Sequence, residues 1–317
     1  MSDPVVRVEI RNHIAWVTVD NPPVNATSTD VRRGLLDAVR TAEGAAVQTA
    51  VLRCSGKTFI AGGDMSEFDA PPVEPHLPDV VQALEDSEVS WIAAMHGSVL
   101  GGGFEIAMGC AWRVAVSDTR FGLPEVSVGL VPGAGGTQRL PRLVGANLAV
   151  SMTTTGTLVS ADDLFAAGGL DRILPDLSEE RLLELVEKLP KRRQKTRDWP
   201  TTSPEPEFWY EARAGVQKSA RGQDAPLLNL EMVKQAFSVP FEEGQPKERA
   251  LHLERRSAPQ SRALRHAFFA ERRAARPRVI AGQTARNVAS VAIVGGGLMG
   301  AGIATACLNG GLNVTLI

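Results

Sequence analysis

Two glutamates and two glycine-rich turns are where this sequence offers chemistry. The first turn is Phe59-Ile60-Ala61-Gly62-Gly63-Asp64; the second is Gly101-Gly102-Gly103-Phe104-Glu105, which runs straight into the helical stretch Ile106 to Cys110. Glycine lets the backbone approach a ligand closely and take torsions closed to other residues. A helix N-terminus adds unpaired N–H groups and the positive end of the helix dipole. If the two turns face one another, one amide from each can grip a single carbonyl oxygen as negative charge develops on it. Glu105 lies in the first turn of that helix, and Glu125 follows in Leu123-Pro124-Glu125-Val126, after a Phe121-Gly122 turn. Two carboxylates beside an activated carbonyl suit the addition of water. One holds or deprotonates the water and the other helps deliver a proton to the α-carbon. Taken singly, each glutamate reads as a helix cap or a surface charge; the surrounding turns favour the chemical reading.

The elements that must position these groups alternate along the chain. Val5 to Ile10 and Ile14 to Asp20 are β-rich runs joined by Arg11-Asn12-His13, which predicts a hairpin. Val31, Leu35, Leu36, Val39 and Ala42 fall at helical spacing, with Ser28, Thr29 or Asp30 as cap. Apolar runs at Ala50 to Leu52, Trp91 to Met95 and Trp112 to Val116 predict strands, so the fold class is α/β with crossover helices. Pro71, Pro72, Pro75 and Pro78 mark a mobile loop after Asp64. Ser160 caps a helix over Ala161 to Ala167, Ser178 to Leu189 is an amphipathic helix, and Lys191 to Pro206 reads as a polar linker. Three or four further helices are expected from about Glu207 to Arg276.

Composition narrows the partners. The chain has 317 residues, 44% hydrophobic, and a net charge of −2, which removes any global electrostatic argument for nucleic acid. The basic run Lys247 to Arg278 holds ten Lys or Arg against three Glu; it suits coenzyme phosphates or nucleic acid, but with no interleaved aromatic platform a solvated helix face is the simpler reading. No apolar run reaches the roughly 18 residues of a membrane span. No signal peptide is expected, since the N-terminus opens almost directly into a strand pattern. Cys54, Cys110 and Cys307 read as thiols of a reducing compartment, and the five histidines have no metal-ligand spacing.

The segments Asn21-Pro22-Pro23-Val24-Asn25-Ala26, Ala61 to Asp64, Gly101 to Glu105 and Leu123 to Gln138 resemble the crotonase (enoyl-CoA hydratase/isomerase) superfamily. Ala263 to Glu271, ahead of a glycine-rich motif, looks like the linker helix of multifunctional β-oxidation enzymes. The resemblance implies a crotonase core of the ClpP-like ββα spiral type over residues 1–190, then a helical linker and C-terminal helices over 191–285. It implies hydration of a 2-enoyl-CoA to the 3-hydroxyacyl-CoA, with isomerisation of 3-enoyl-CoA in the same pocket. Gly63 and Gly102 match the oxyanion-hole amides, and Glu105 and Glu125 the paired catalytic glutamates, Glu125 serving as base and proton donor. Gly63 departs from the commoner alanine, but only its N–H is needed. Ala61 and Gly62, with Val24 and Ala26, fall where family backbone meets coenzyme A; Asp64 either touches substrate or caps the next helix. An acyl-CoA partner, no metal or redox cofactor for hydration, and a cytoplasmic location (peroxisomal in a eukaryote) follow, with a trimer-type homo-oligomer and a monomer both open.

Ser290 to Gly300 fits a strand followed by G-x-G-x-x-G, with Gly295, Gly297 and Gly300 as the dinucleotide fingerprint and a helix following to Leu308. Residues 288–317 are therefore expected to be an incomplete Rossmann βαβ start, a truncated 3-hydroxyacyl-CoA dehydrogenase domain. NAD belongs to a full-length relative, and the stub is expected to be inert. A dehydrogenase and a non-catalytic acyl-CoA-binding module are the competing readings.

Overall fold

Asn12 and His13 both take positive φ, 52° and 58°, the left-handed pair that lets a two-residue turn follow the twist of its strands. They fold β1 (Val6–Arg11) back onto β2 (Ile14–Val19) in antiparallel register, the expected hairpin. The computed structural model describes residues 4–190, 194–275, 282–284 and 286–317. Met1 to Asp3, Lys191 to Arg193, and Arg276 and Arg278 of the basic run lie outside the described residues.

After the hairpin the chain winds by crossovers. α1 (Thr29–Gly44) leads to β3 (Thr49–Cys54), and α2 (Leu77–Asp86) to β4 (Ser90–Met95). β5 (Ser98–Leu100) and α3 (Gly102–Gly109) precede β6 (Trp112–Val116) and β7 (Arg120–Gly122). α4 (Gly136–Thr155), β8 (Val159–Ser160), α5 (Ala161–Ala166), β9 (Arg172–Leu174) and α6 (Glu179–Lys188) follow. The main sheet has the order β1-β2-β3-β4-β6-β9, parallel from β2 onward. A second sheet, β5-β7-β8, stands beside it. Period-two alternation sends Ala15, Val17, Leu52, Trp91 and Met95 into the main core and Trp16, Val51, Ile92 and Val114 to the opposite face, where Leu182 and Leu185 of α6 cover them. A parallel sheet buried on both faces explains why its strands read as near-continuous apolar runs.

Ser28 is the cap of α1, accepting from Val31 N at 3.4 Å. Two expectations are corrected. Pro78 is not in the loop: α2 starts at Leu77 with the proline in its first turn, where a missing N–H leaves no hydrogen bond unmade. Nor is the segment before Pro206 merely a polar linker. Thr196 is buried, Arg197 N donates to Glu85 Oε1 at 3.0 Å, and the Arg197 side chain pairs with Asp86.

Four helices follow: α7 (Pro206–Ser219), α8 (Ala225–Gln235), α9 (Phe241–Ser257) and α10 (Pro259–Ala275). α8 lies against α4, with Leu230 and Val233 buried and Asn229 Nδ2 donating to Leu130 O at 3.0 Å. Part of the basic run turns inward and is no solvated face. Arg265, 4% exposed, donates to Asp69, and Arg256 donates to the carbonyls of Glu67, Phe68 and Ala70. From the other side Arg32 donates to the carbonyls of Val73 and Pro75, so the proline loop is held by arginines at both flanks.

The chain divides into two compact units, residues 1–268 and 269–317. The second contains β10 (Ser290–Ile293), α11 (Leu298–Asn309) and β11 (Asn313–Leu316), the strands paired in parallel as a βαβ element. No residue of α11 is buried, and Leu298 is 92% exposed.

Candidate active site

The two glycine turns meet. Ala61 and Leu100 form a parallel β-bridge, Leu100 N donates to Ile60 O at 3.0 Å, and Gly101 N donates to Gly122 O at 2.9 Å. A Cβ on Gly103 would stand 2.3 Å from Ile60 O, so no other residue permits this approach. The N–H groups of Gly63 and Gly102 have no acceptor among the described residues. Both glycines face Thr27, whose Oγ1 lies 3.8 Å and 3.4 Å from the positions a Cβ would take on Gly63 and Gly102. Two free donors therefore lie in turns that both adjoin Thr27, one of them at the N-terminus of α3.

Glu105 stands in the first turn of α3 and is 2% exposed. Its Oε1 accepts from Ala134 N at 2.7 Å and Gly136 N at 2.9 Å. Burial raises its carboxyl above the ordinary range, opposed by these two amides and by the charges of Arg139 and Arg249. Phe121-Gly122, expected as a turn, is instead the end of strand β7, with Phe121 packed on Phe104 at 5.5 Å between centroids. That strand delivers Glu125 into a short 3₁₀ helix, Pro124–Val128. Glu125 Oε1 is 2.8 Å from where a Gly101 Cβ would be, which leaves room only for glycine, and its Oε2 is buried without a hydrogen-bond partner. Burial first, then the charges of Glu105 and Glu248, push the Glu125 carboxyl well above the usual range. Glu105 has two outside amides to stabilise its anion and Glu125 has none among the described residues, an arrangement that favours ionisation of Glu105 over Glu125.

The flanking residues fall around the same turns. Val24 O accepts from Ala61 N at 3.1 Å, and Gly62 O accepts from Thr27 N at 3.0 Å, which joins the Val24 to Ala26 segment to the first turn. Asp64 caps its own 3₁₀ helix, accepting from Ser66 N at 2.9 Å and Ser66 Oγ at 2.6 Å. Gly295, Gly297 and Gly300 belong to the second unit. There a Cβ on Gly300 would stand 1.8 Å from Gly295 O, and Gly297 precedes α11 with no side-chain cap. That turn fits the pyrophosphate end of a dinucleotide. Residues 290–317 contain no Asp or Glu to meet a ribose.

Four participants were not legible in the sequence. Glu248 of α9 is fully buried behind the loop that holds Glu105. Arg139 and Glu85, each 2% exposed, form a bidentate pair at 3.2 Å and 2.7 Å, and Arg139 Nη1 donates to Ala134 O at 2.9 Å. His252 Nδ1 lies 2.7 Å from Val131 O, and its ring would clash at 2.6 Å with a Cβ on Gly133. The Leu123 to Gln138 motif contained the loop that these groups grip, but nothing local marked the groups themselves.

Burial, with the Arg249 and Arg256 charges adding to it and the Val131 carbonyl opposing it, lowers the His252 pKa to about 4. An unfolded histidine titrates near 6.5, so between these values the unfolded chain binds the extra proton. Stability is therefore expected to fall as pH drops from about 6.5 towards 4. Thermal melts of wild type and His252→Gln across that window check this; equal slopes in the two proteins would refute it.

Residues 9–198 match the sequence profile of the enoyl-CoA hydratase/isomerase family. A peroxisomal bifunctional enzyme of Danio rerio is 36% identical over 97% of this chain and 44% of its own length. The human peroxisomal bifunctional enzyme is 34% identical over 93% of this chain and 42% of its own. The chain thus spans less than half the length of these relatives. In three dimensions it is similar to a carnitinyl-CoA hydratase from Mycobacterium avium, with a TM-score of 0.62, 24% identity, and coverage of 85% of this chain and 97% of that one; the likeness shows a shared fold. A profile match over more than half of its length, on the same turns and glutamates that form the site, makes this chain a member of the enoyl-CoA hydratase/isomerase family.

Proposed function

We propose that this chain adds water to 2-enoyl-CoA thioesters in fatty-acid β-oxidation, giving the 3-hydroxyacyl-CoA. The carrying observation is that two free amides and two buried carboxylates converge from separate elements. The thioester oxygen sits between the N–H groups of Gly63 and Gly102, where each donor is worth about 3–4 kcal/mol as charge builds on it. Glu105, ionised and oriented by Ala134 and Gly136, takes a proton from water as its oxygen bonds to C3. Glu125 delivers its own proton to C2 of the enolate, so H and OH are added and one proton remains to pass from Glu105 back to Glu125. The resemblance alone would give Glu125 both the base and the donor roles; the amides on Glu105 favour dividing them. The same pair supports a second activity, moving a proton between C4 and C2 to convert 3-enoyl-CoA to 2-enoyl-CoA.

Loss of the conjugated enoyl thioester absorbance with crotonyl-CoA and a longer homologue tests the reading. Bound acyl-CoA without turnover would instead make the chain a binding module. The relatives' names describe bifunctional peroxisomal enzymes, and we extend the peroxisomal setting to this chain on that basis. NADH-linked turnover of 3-hydroxyacyl-CoA by this chain would show that the second unit supports a dehydrogenase; its absence is expected. Among the described residues no helix is long and apolar enough to cross a membrane.

A further inference from the structure

Four consecutive backbone amides, Ala134 to Thr137, are divided between two carboxylates. Glu105 Oε1 takes Ala134 N at 2.7 Å and Gly136 N at 2.9 Å. Glu248 takes Gly135 N on Oε1 at 2.6 Å, and Thr137 N and Oγ1 on Oε2 at 2.7 Å and 2.5 Å. Alternate amides along one short loop thus bond to carboxylates supplied by α3 and by α9. A rotation of the loop that breaks one set disturbs the other.

Glu248 is 0% exposed, unlike an ordinary helix-surface glutamate. A carboxylate buried there is tolerable only because both oxygens are bonded. The contact has no slack. A Cβ on Gly244, one turn earlier in α9, would stand 2.2 Å from Gln138 Oε1, and His252, one turn later, touches Gly133. Gln138 Nε2 in turn donates to Thr137 Oγ1 at 3.0 Å.

We propose that Glu248 is a positioning residue for hydration: by holding Gly135 and Thr137 from behind, it aims the Ala134 and Gly136 amides that orient Glu105 against Glu125. The role rests on the hydration reading. The charged groups facing Glu248 are Glu105 from α3, Glu125 from the 3₁₀ helix and Arg249 on its own helix. Burial and the Glu105 charge raise Glu248 to about 8, and the charge of Glu248 in turn raises Glu125.

Glu248→Gln keeps the shape but replaces one acceptor by an NH2 that cannot accept from Thr137 or Gly135. For crotonyl-CoA, kcat is expected to fall roughly 10²-fold, the scale of an ångström of misplacement at a reacting group, with KM unchanged. The alkaline limb of the pH–rate profile, which reports loss of the Glu125 proton, moves to lower pH because a nearby negative charge is gone. Thr137→Val removes the hydroxyl bond to Glu248 and the acceptor of Gln138 Nε2, which keeps its bond to Met232 O, while the Thr137 N bond to Glu248 stays; kcat falls less, at unchanged KM, and the limb stays in place. A folded Glu248→Gln enzyme with wild-type kcat and limb overturns the proposal, as does a general loss of activity with raised KM and an unmoved limb. If Glu248→Gln does not fold, Thr137→Val decides: wild-type kcat overturns the role and a lower kcat at unchanged KM supports it. A wild-type protein inactive on every enoyl-CoA fails the hydration reading and this role with it, whereas an active wild type beside an unaffected variant fails this role alone.

Discussion

Glu125→Gln is expected to lower kcat for crotonyl-CoA by about 10³-fold, within the range that general acid–base groups contribute. The glutamine preserves volume beside Gly101, where a methyl group would already lie 2.8 Å from Glu125 Oε1, so KM should change little. What is lost is the proton for C2. Glu105→Gln should be comparably damaging for a different reason. An amide has no proton affinity with which to activate water, even though its carbonyl oxygen can still accept from Ala134 and Gly136 as Oε1 does. The two variants are distinguishable by pH. The proposed chemistry requires Glu105 without a proton and Glu125 with one, which predicts a bell. The acid limb should disappear from the residual activity of Glu105→Gln and the alkaline limb from that of Glu125→Gln. Initial rates across pH, read from the enoyl absorbance, provide the test. Wild-type rates in both variants would refute the proposed chemistry.

The largest effect on stability is expected at Glu85→Ala. Arg139 and Glu85 are each 2% exposed and bond through two nitrogens, and Arg197 also approaches Glu85. Removing the carboxylate leaves the Arg139 guanidinium buried without its counter-charge, a change that costs about 3–5 kcal/mol. Urea denaturation should show it, and a loss below about 1 kcal/mol, the value of a surface pair, would refute the assignment. The defect should also reach the site. Arg139 Nη1 holds Ala134 O, and the N–H of the same residue holds Glu105. At a temperature where the variant is still folded, kcat is therefore expected below wild type.

Local chemistry wrote much of this into the chain. Alternating apolar residues set the hairpin, helical spacing and Ser28 set α1, and glycines marked the two turns because only they tolerate Gly103 against Ile60 O or Gly101 at φ 52° and ψ −126°. Glu105 stood out because it ends the second turn, and Glu125 because Leu123-Pro124-Glu125-Val126 follows Phe121-Gly122. α2 was hidden by Pro78, a residue that suits a loop and a first helical turn equally. The docked segment at Thr196 to Asp198 looked like a linker because its polar side chains find partners more than 100 residues away, as Arg197 does in Glu85 and Asp86.

The same physics separates the two kinds of residue at the site. The proposed acid–base pair and the proposed amides could be picked out from types and spacing, since each lies in or close to a short glycine-containing motif. Glu248 could not. It sits 113 residues from Gly135 in a helix with eight charged residues among its 17, and only the packing of α9 onto the start of α4 turns it from an ordinary surface carboxylate into a buried one with every oxygen bonded. The protonation order of Glu105 and Glu125 was likewise beyond the sequence. It follows from which carboxylate the folded loop supplies with N–H donors, and that is a property of tertiary structure.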